Sequence, residues 1–236
     1  MRYVWAVASH AGKVRPNNQD TPHPTTSGSA DEGPVLLGVA DGMGGAAGGE
    51  VASSVAMSTA TAGDGRPADR VHDANAAVFE ESRRRPELAG MGTTMTLVEL
   101  DGSGNGVFGH VGDSRAYLLR DGEITQLTND HTIVAEWVAL GAITPEDAKT
   151  HPRRGMLTRS VGVASHVEVD AFTHHFEASD RLILCSDGLN GMVDDAAILA
   201  IGGTGTPEAA AWALVEAAND AGGYDNITVV VVDLDS

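Results

Sequence analysis

Cysteine, aromatic residues and long apolar runs are all scarce in this sequence. Its one cysteine, Cys185, excludes an intramolecular disulfide and favours a reducing compartment. Aromatic residues make up 4% of the chain against 42% hydrophobic residues, which predicts a core packed mainly by Val, Leu, Ile and Ala. No run approaches the roughly 20 apolar residues that cross a bilayer, and the apolar stretch at residues 1–8 is too short for a secretory signal. We therefore expect a soluble cytoplasmic protein with no membrane partner.

Basic residues are also few. The chain carries 15 Lys and Arg against 33 Asp and Glu, a formal net charge of -18. Such a charge repels nucleic acids and anionic membrane surfaces, so neither is expected as a partner. It would also repel a phosphate ester, unless bound divalent cations reverse the local field. The alternative is that the charge only keeps the protein soluble, and both can hold.

Length and patterning indicate one domain over residues 1–236, since no linker divides the chain. Strand-like runs come in blocks that are interrupted by pairs of helices, without the steady alternation of a parallel sheet. This order favours an α+β fold: two mainly antiparallel β-sheets packed as a central sandwich and flanked by helices, in α-β-β-α layers. The predicted strands are 3–9, 35–40, 93–100, 107–111, 115–119, 123–127, 166–175, 181–185 and 226–234. The predicted helices are 50–62, 68–85, 133–140, 145–149, 195–201 and 207–221, and residues 10–34 are predicted as a polar loop.

Three apolar runs end in an aspartate that is followed at once by a small residue. They are Val-Ala-Asp-Gly at 39–42, Val-Gly-Asp-Ser at 111–114 and Cys-Ser-Asp-Gly at 185–188. A carboxylate at the mouth of a buried strand lies where the sheet stops and ligands can approach, so three such ends can converge on one cation. Asp225, just before the last predicted strand, is a fourth candidate. Oxygen ligands alone suit Mg²⁺, Mn²⁺ or Ca²⁺ better than zinc.

Asp-Gly by itself is a weak signal, because it is also a common hairpin turn. Five such dipeptides begin at positions 41, 64, 101, 121 and 187. Those at 101 and 121 lie between predicted strands and the one at 64 lies between predicted helices, so these three are interpreted as turns. The other two lead from strands into loops that open helices, which favours a ligand role for Asp41 and Asp187.

A cluster of like-charged carboxylates is costly unless a cation neutralises it. Convergence of Asp41, Asp113, Asp187 and Asp225 therefore implies metal, and two ions that share carboxylates fit the count. Such a pair lowers the pKa of a bridging water, so that hydroxide attacks phosphorus while the ions stabilise the developing charge. This chemistry needs no covalent enzyme nucleophile.

Short motifs spread over nearly the whole chain, from residue 9 to residue 233, carry a family resemblance. They are Gly-Lys-Val-Arg-Pro-Asn-Asn-Gln-Asp at 12–20, the stretches 39–45 and 49–52, Gly-Met-Gly-Thr-Thr at 90–94, 109–115, Leu-Thr-Arg-Ser-Val-Gly at 157–162, 184–188 and 225–229. Each motif is modest alone, and together, in the family's order, they are highly specific. On these motifs the chain resembles the metal-dependent serine/threonine protein phosphatases of type 2C, in their compact bacterial form.

That resemblance implies roles for the aspartates. Asp41 would bridge two metal ions, Mn²⁺ or Mg²⁺, and the carbonyl of Gly42 would bind one of them. Asp187 and Asp225 would complete the ligands of the pair, and Asp113 with Asp187 would hold a third, weaker ion. The implied activity is hydrolysis of phosphoserine and phosphothreonine in proteins by a water that the dinuclear centre activates.

The resemblance also implies substrate-binding and supporting residues. Arg15 would clamp the phosphate, because a guanidinium fork matches two phosphate oxygens. Asp20, predicted as catalytic, would support the metal ligands, as would Gln19 and Asn226. Residues at about 132–160 correspond to the family's flap. The implied partners are phosphoproteins, among them serine/threonine kinases and their substrates, and we expect a monomer.

Three residues depart from the family's pattern. Gln19 stands where a glutamate usually orders metal-bound water, so weaker metal affinity is expected. Ala46 stands where bacterial members commonly have a histidine, which removes a candidate proton donor. His10 stands where the family usually has aspartate and could take part in proton transfer, although we favour a surface or loop histidine.

Two other functions stay open at this level. A pseudophosphatase would keep the fold and the phosphate pocket as a phosphoprotein-binding regulatory module. Gln19 and Ala46 favour it, whereas the retained aspartates and Arg15 favour an enzyme. The third possibility is a structural domain that cations stabilise.

A few further residues are interpreted as structural. Cys185 is predicted to be a small buried residue, since thiol phosphatase chemistry requires an arginine where Gly191 stands. His131 is predicted to be a hydrogen-bonded structural histidine. Arg153 and Arg154 lie in the flap, where they either guide acidic phosphoproteins or are simply solvated.

Overall fold

The computed structural model describes residues 1–235, except for the side chains of residues 46 and 47. Over that range the chain forms twelve strands and seven α-helices. The strands are β1 (Arg2–His10), β2 (Asp20–His23), β3 (Gly28–Ala30), β4 (Val35–Met43), β5 (Gly92–Thr93), β6 (Met95–Leu100), β7 (Asn105–Val111), β8 (Arg115–Arg120), β9 (Glu123–Gln126), β10 (Asp170–His175), β11 (Arg181–Cys185) and β12 (Ile227–Asp235). The helices are α1 (Gly45–Ala62), α2 (Pro67–Arg84), α3 (Ile133–Ala139), α4 (Pro145–Thr150), α5 (Asp187–Asn190), α6 (Asp195–Gly202) and α7 (Pro207–Asp220), and a 3₁₀ turn covers Pro86–Leu88.

The strands form two sheets with antiparallel pairing. The first sheet has the order β3-β1-β12-β11-β8-β9, and the second has the order β10-β7-β6-β4-β2, with β5 added beside β4. In the first sheet, β1 pairs with β12 from Arg2 opposite Asp235 to His10 opposite Ile227, so the two ends of the chain lie side by side. This arrangement confirms the predicted pair of antiparallel sheets.

Side-chain alternation places three hydrophobic layers around the sheets. Val230 and Val232 of β12 pack with Leu37 and Val98 of the second sheet between the two sheets. The intervening valines of β12 face outward, where α6 and α7 cover the first sheet. Helices α1 and α2 cover the second sheet in the same way. A strand buried on both faces has a continuous apolar run, which is why β12 contains four consecutive valines at 229–232.

Most predicted elements occur with small shifts, and the larger differences concern glycine-rich or edge segments. The predicted loop at 10–34 contains β2 and β3, whose residues have weak strand propensity and pair because β4 and β1 offer free edges. Helix α1 begins at Gly45, five residues before the predicted start, despite its glycines. Strand β10 begins at Asp170 and not at 166.

All three dipeptides interpreted as turns lie in connections between elements, and those at 101 and 121 form turns. Asp121 and Gly122 have φ of 53° and 79° and connect β8 to β9, a left-handed pair that two-residue hairpins require. The dipeptide at 101 connects β6 to β7, and the one at 64 lies between α1 and α2. Within residues 1–235, none of the helices combines the length and the apolar character that crossing a bilayer requires.

Candidate active site

Four aspartates that arrive from four different elements line one pocket of about 470 Å³. Asp187 opens α5 directly after β11, and Asp113 follows β7 by two residues. Asp225 lies two residues before β12. Arg15, Gln19 and Gly42 line the same pocket. Two distant stretches of the sequence, the Arg15 loop and the segment around Asp225, are therefore neighbours in the fold.

Asp41 lies inside a strand, which corrects the prediction that it ends one. Strand β4 continues to Met43, and Asp41 is paired with Asp20 of β2. Its backbone N–H donates to Thr94 Oγ1 at 3.0 Å, and its carbonyl accepts from Thr94 N at 2.9 Å and from Thr93 Oγ1 at 2.8 Å. These bonds fix the backbone that presents the carboxylate.

Gly42 permits a close crossing of β4 and α1. A β-carbon at this position would clash with the Gly49 carbonyl oxygen and would lie 2.7 Å from that of Gln19. Its N–H donates to the Gln19 carbonyl at 3.2 Å. Only glycine fits here, so the backbone rather than a side chain reaches the pocket at residue 42.

Asp187 and Asp225 are held together through their neighbours. A β-carbon at Gly188 would clash with the Asn226 carbonyl, so glycine allows the start of α5 to approach the start of β12. Asn226 Nδ2 donates to the carbonyls of Ala11 and Asn17 at 3.0 and 2.8 Å, and its Oδ1 accepts from Gln19 N at 2.8 Å. Asn226 therefore ties the loop that carries Arg15 to the segment that carries Asp225.

The loop that presents Asp113 is clamped by His131. Gly112 N donates to His131 Nδ1 at 3.1 Å, and His131 N donates to the Gly112 carbonyl at 2.8 Å. His131 is 5% exposed, and its Nε2 lies 3.2 Å from Asp170 Oδ2. The prediction of a structural, hydrogen-bonded histidine agrees with these contacts.

Burial and mutual repulsion raise the pKa of three of these carboxyls, those of Asp41, Asp113 and Asp187. The pKa of Asp41 lies well above its usual value because of burial first and then the charges of Asp20, Asp187 and Asp113. Burial and then the charge of Asp187 likewise raise the pKa of Asp113 well above its usual value. For Asp187, burial and the charge of Asp225 raise the pKa, while a hydrogen bond with Asp41 lowers it. Each carboxyl therefore resists ionisation unless positive charge is supplied.

Asp20 adds a fifth carboxyl to the cluster. Burial, partly offset by hydrogen bonds from Ser186 and Thr228, raises the pKa of Asp20 to about 7. Ser186 Oγ donates to its Oδ2 at 2.7 Å, whereas its buried Oδ1 has no hydrogen-bond partner in the described part of the chain. A buried carboxylate oxygen without a donor is costly in a protein interior. An orphaned oxygen among like-charged carboxyls is what a site for divalent cations requires, and the residues present fit such ions.

The four aspartates share a pocket but do not form a coordination sphere. In residues 1–235 no group of three or more acidic, histidine or cysteine side chains is arranged as a ready-made metal site. Of the four, Asp225 has an arginine partner, since its Oδ2 accepts from Arg15 Nη2 at 2.7 Å. The metal-binding roles of the four aspartates, and that of Gly42, remain predictions.

Arg15, the predicted phosphate clamp, is thus paired with a predicted metal ligand. Its side chain is 53% exposed, and that of Asp225 is 37% exposed. An exposed ion pair of this kind is weak. A phosphate dianion can therefore compete with Asp225 for the guanidinium, which offers its donors as a fork.

Gln19 makes a contact that a glutamate could not make. Its Nε2 donates to the Gly45 carbonyl at 2.8 Å, at the start of α1. A carboxylate has no hydrogen to donate and would repel that carbonyl. The amide therefore secures the start of α1 but removes one negative charge from the rim of the pocket. The side chain of Ala46, the other departure near the site, lies outside the described residues.

His10 and Cys185 lie apart from the chemistry. His10 is the exposed last residue of β1, so it is a surface histidine and not a loop histidine; its Nδ1 accepts from Gly12 N at 2.9 Å and is 3.3 Å from Asn219 Nδ2. Cys185 is buried, and burial raises the pKa of its thiol to about 12. A thiol of that pKa is not a nucleophile near neutral pH.

Hydroxyl groups beside the aspartates were not predicted as functional. Thr94 Oγ1, which accepts from Asp41 N, lies 2.8 Å from Ser114 Oγ, next to Asp113. Ser53 Oγ donates to the Gln19 carbonyl at 2.6 Å. Ser186 both donates to Asp20 and accepts from Thr228 N at 3.0 Å. Thr94, Ser114 and Ser186 fall inside the motifs quoted above, and for Ser114 and Ser186 a neighbouring aspartate in the sequence was the available signal.

Comparison with other proteins decides the family. The sequence profile of the family described as protein phosphatase 2C matches residues 8–206. The chain belongs to this family. It is 42% identical over 241 residues to the serine/threonine protein phosphatase PstP of Mycobacterium tuberculosis, covering 98% of this chain but 45% of that protein. It is 37% identical to the serine/threonine phosphatase Stp of Listeria monocytogenes, covering 95% of this chain and 93% of that protein.

A solved structure of the same family agrees with the fold. The crystal structure of the PstP catalytic domain in complex with two manganese ions is 36% identical, covers all of both chains and has a TM-score of 0.87. The predicted family and the predicted two-sheet fold are thereby confirmed. The chain spans less than half the length of PstP. The activities and partners of that longer protein therefore do not carry over to this chain directly.

Proposed function

We propose that residues 1–236 form one catalytic domain that removes phosphate from phosphoserine and phosphothreonine in proteins, with a flap at about 132–160. In this proposal Asp41, the Gly42 carbonyl, Asp187 and Asp225 hold two metal ions. The observation that carries it is the pocket in which buried carboxyls of raised pKa face Arg15. A weaker third ion would use Asp113 together with Asp187. When bound, Mn²⁺ or Mg²⁺ supplies positive charge that keeps the carboxylates ionised, lowers the pKa of water and neutralises charge on the phosphate.

The chain's own residues bind and orient the substrate. Arg15 exchanges Asp225 for two phosphate oxygens and fixes the orientation of the phosphoryl group. Asp20 accepts a hydrogen bond from Ser186 and supports the metal ligands, the role that the family resemblance implies. Gln19 and Asn226 hold the Arg15 loop against Asp225 through their backbone and side-chain bonds.

Partners and setting follow from the reaction class. We infer that the substrates are phosphoproteins, including serine/threonine kinases and the proteins that they phosphorylate. The single buried thiol and the acidic surface support action by a monomer in the cytoplasm, without nucleic acid or membrane as partner.

The test is hydrolysis of a phosphothreonine peptide by the chain loaded with millimolar Mn²⁺. We expect phosphate release that the Asp187→Asn variant lacks. A wild type that releases no more phosphate than this variant would contradict the proposal. If it also held the peptide unchanged in calorimetry, a pseudophosphatase would be the better description.

A further inference from the structure

The flap has the opposite charge balance to the rest of the chain. Residues 132–160 contain four basic and three acidic side chains, a net charge of +1 in a protein of net charge -18. Two acidic side chains of the flap have partners within it: Glu146 lies 3.2 Å from Lys149 Nζ, and Asp147 accepts a hydrogen bond from Thr144 Oγ1 at 2.6 Å. Neither of them pairs with Arg153 or Arg154.

Arg153 and Arg154 supply that charge. Eleven of the 15 Lys and Arg side chains pair with a carboxylate within 4.0 Å. Among residues 1–235 the exceptions are Arg66, Arg84, Arg153 and Arg154, and the first two belong to the region of α2. The two flap arginines are consecutive and exposed, and they precede Gly155, which lines the catalytic pocket.

The turn that carries these arginines is held in place by hydrogen bonds. Arg154 N donates to the His151 carbonyl at 3.0 Å, and Met156 N donates to the Arg153 carbonyl at 3.0 Å. Ile133 N donates to the Met156 carbonyl at 2.9 Å, which ties the turn to the start of α3. The His151 ring packs edge-on against Trp137 with centroids 5.3 Å apart. The backbone on which the guanidinium groups stand is therefore fixed at the rim of the pocket.

We propose that Arg153 and Arg154 form a recognition site for acidic side chains that flank the phosphorylated residue of the substrate. Carboxylates bind guanidinium groups through charge-assisted hydrogen bonds, and complementary charge at the rim of a site chiefly provides specificity. Because the rest of the chain is strongly acidic, an acidic segment is repelled elsewhere and is accepted at this side of the pocket. This inference rests on the proposed phosphatase function and names the class of segment that it selects.

The experiment uses two phosphothreonine peptides of equal length, one with Glu and one with Gln on both sides of the phosphothreonine. The full chain is compared with an Arg153→Gln/Arg154→Gln variant. The control variant, Arg83→Gln/Arg84→Gln, makes the same change in charge on exposed residues of α2 that do not line the pocket. At low salt we expect KM for the Glu peptide to rise about tenfold in the flap variant with kcat unchanged, as for the loss of two exposed ion pairs. KM for the Gln peptide should stay constant, and the control should match wild type.

An equal rise of KM for both peptides, or an equal effect of the control variant, overturns the inference. Hydrolysis of the Gln peptide by wild type tests the proposed function separately. If wild type hydrolyses neither peptide, fluorescence anisotropy with the same labelled peptides decides the matter. Tighter binding of the Glu peptide that the flap variant loses supports the recognition site, and equal binding of both peptides to all three proteins contradicts it.

Discussion

Strands β8, β11 and β12 of the first sheet run between two ends of the β-sandwich that handle charge in opposite ways. At the far end from the aspartate cluster, a pocket of about 440 Å³ is lined by Arg120, Asp180, Arg181 and Asp233. Arg181 donates to both oxygens of Asp233 at 2.6 and 2.9 Å. Arg120 donates to both oxygens of Asp180 at 2.7 and 2.6 Å. At the catalytic end, four aspartates face one exposed arginine in a pocket of about 470 Å³.

This difference shows that uncompensated charge, and not pocket size, distinguishes the functional end. Every carboxylate with a bidentate arginine partner is already satisfied and has no reason to bind a cation. The catalytic end instead keeps carboxyls of raised pKa and an oxygen of Asp20 without a donor. Such an arrangement lowers the stability of the folded protein, so its presence indicates a functional site.

The largest expected effect is the loss of activity on removing one charge at the catalytic end. Asp187→Asn should lower the rate of phosphopeptide hydrolysis by more than about 100-fold, since even residues that only support metal ligands are worth 10–100-fold. The melting temperature without metal should stay equal or rise, because burial and the charge of Asp225 oppose ionisation of Asp187. Asp73→Asn, on an exposed position of α2, is the matched control and should behave as wild type. A clear drop in melting temperature for Asp187→Asn would contradict this account.

The opposite end should show the reverse behaviour. Asp180→Asn leaves Arg120 without its bidentate partner, and the Asp180 side chain is only 2% exposed. We expect the free energy of unfolding to fall by about 2 kcal/mol, measured by denaturant titration. Phosphopeptide hydrolysis at a temperature where the variant is folded should be unchanged. Loss of activity without loss of stability would break the contrast between the two ends.

Removing a supporting hydroxyl should have an intermediate effect. Ser186→Ala would remove the hydroxyl that donates to Asp20 Oδ2, beside an Oδ1 that already has no partner, and would also remove the acceptor for Thr228 N. We expect kcat to fall about tenfold, in the range for groups that orient ligands. Ser58→Ala, an exposed serine of α1 that bonds only to the Val55 carbonyl, is the control. Equal kinetics for the two variants would show that Ser186 does not act through Asp20.

These contrasts also explain which features the sequence could predict. The strand-end aspartates and strongly apolar strands such as β12 were visible, because burial on both faces leaves a continuous valine run. The pairing of β2 with β4 was not visible, because Asp20-Thr-Pro-His acquires strand structure only from its partner. For the same reason Asp41 was placed at a strand end although it lies within one.

Contacts between distant segments were the other limit. The bond between Arg15 and Asp225 spans 210 positions, and that between Ser186 and Asp20 spans 166. No local pattern encodes either of them. The resemblance to the family named the residues of the site but not the fact that Arg15 faces Asp225.

The smallest expected effect concerns the amide at the rim. Gln19→Glu removes the hydrogen bond to Gly45 and adds a negative charge beside the aspartates. We expect Mn²⁺ to bind a few-fold more tightly, while the metal-free protein loses about 1 kcal/mol of stability with that bond. Gln19→Ala, which lacks both the donor and the charge, should lose the stability without gaining affinity. A gain in affinity in both variants would assign the effect to the lost bond and not to the charge.

The central claim, that uncompensated aspartates at one end of the sheet hold divalent cations, is tested most directly by calorimetric titration with Mn²⁺. Wild type and Asp180→Asn should bind at least two ions with the same affinity, because the far end takes no part. Asp41→Asn should lose or strongly weaken that binding while remaining folded by circular dichroism. Equal Mn²⁺ binding by Asp41→Asn and wild type, or weaker binding by Asp180→Asn, would contradict the account.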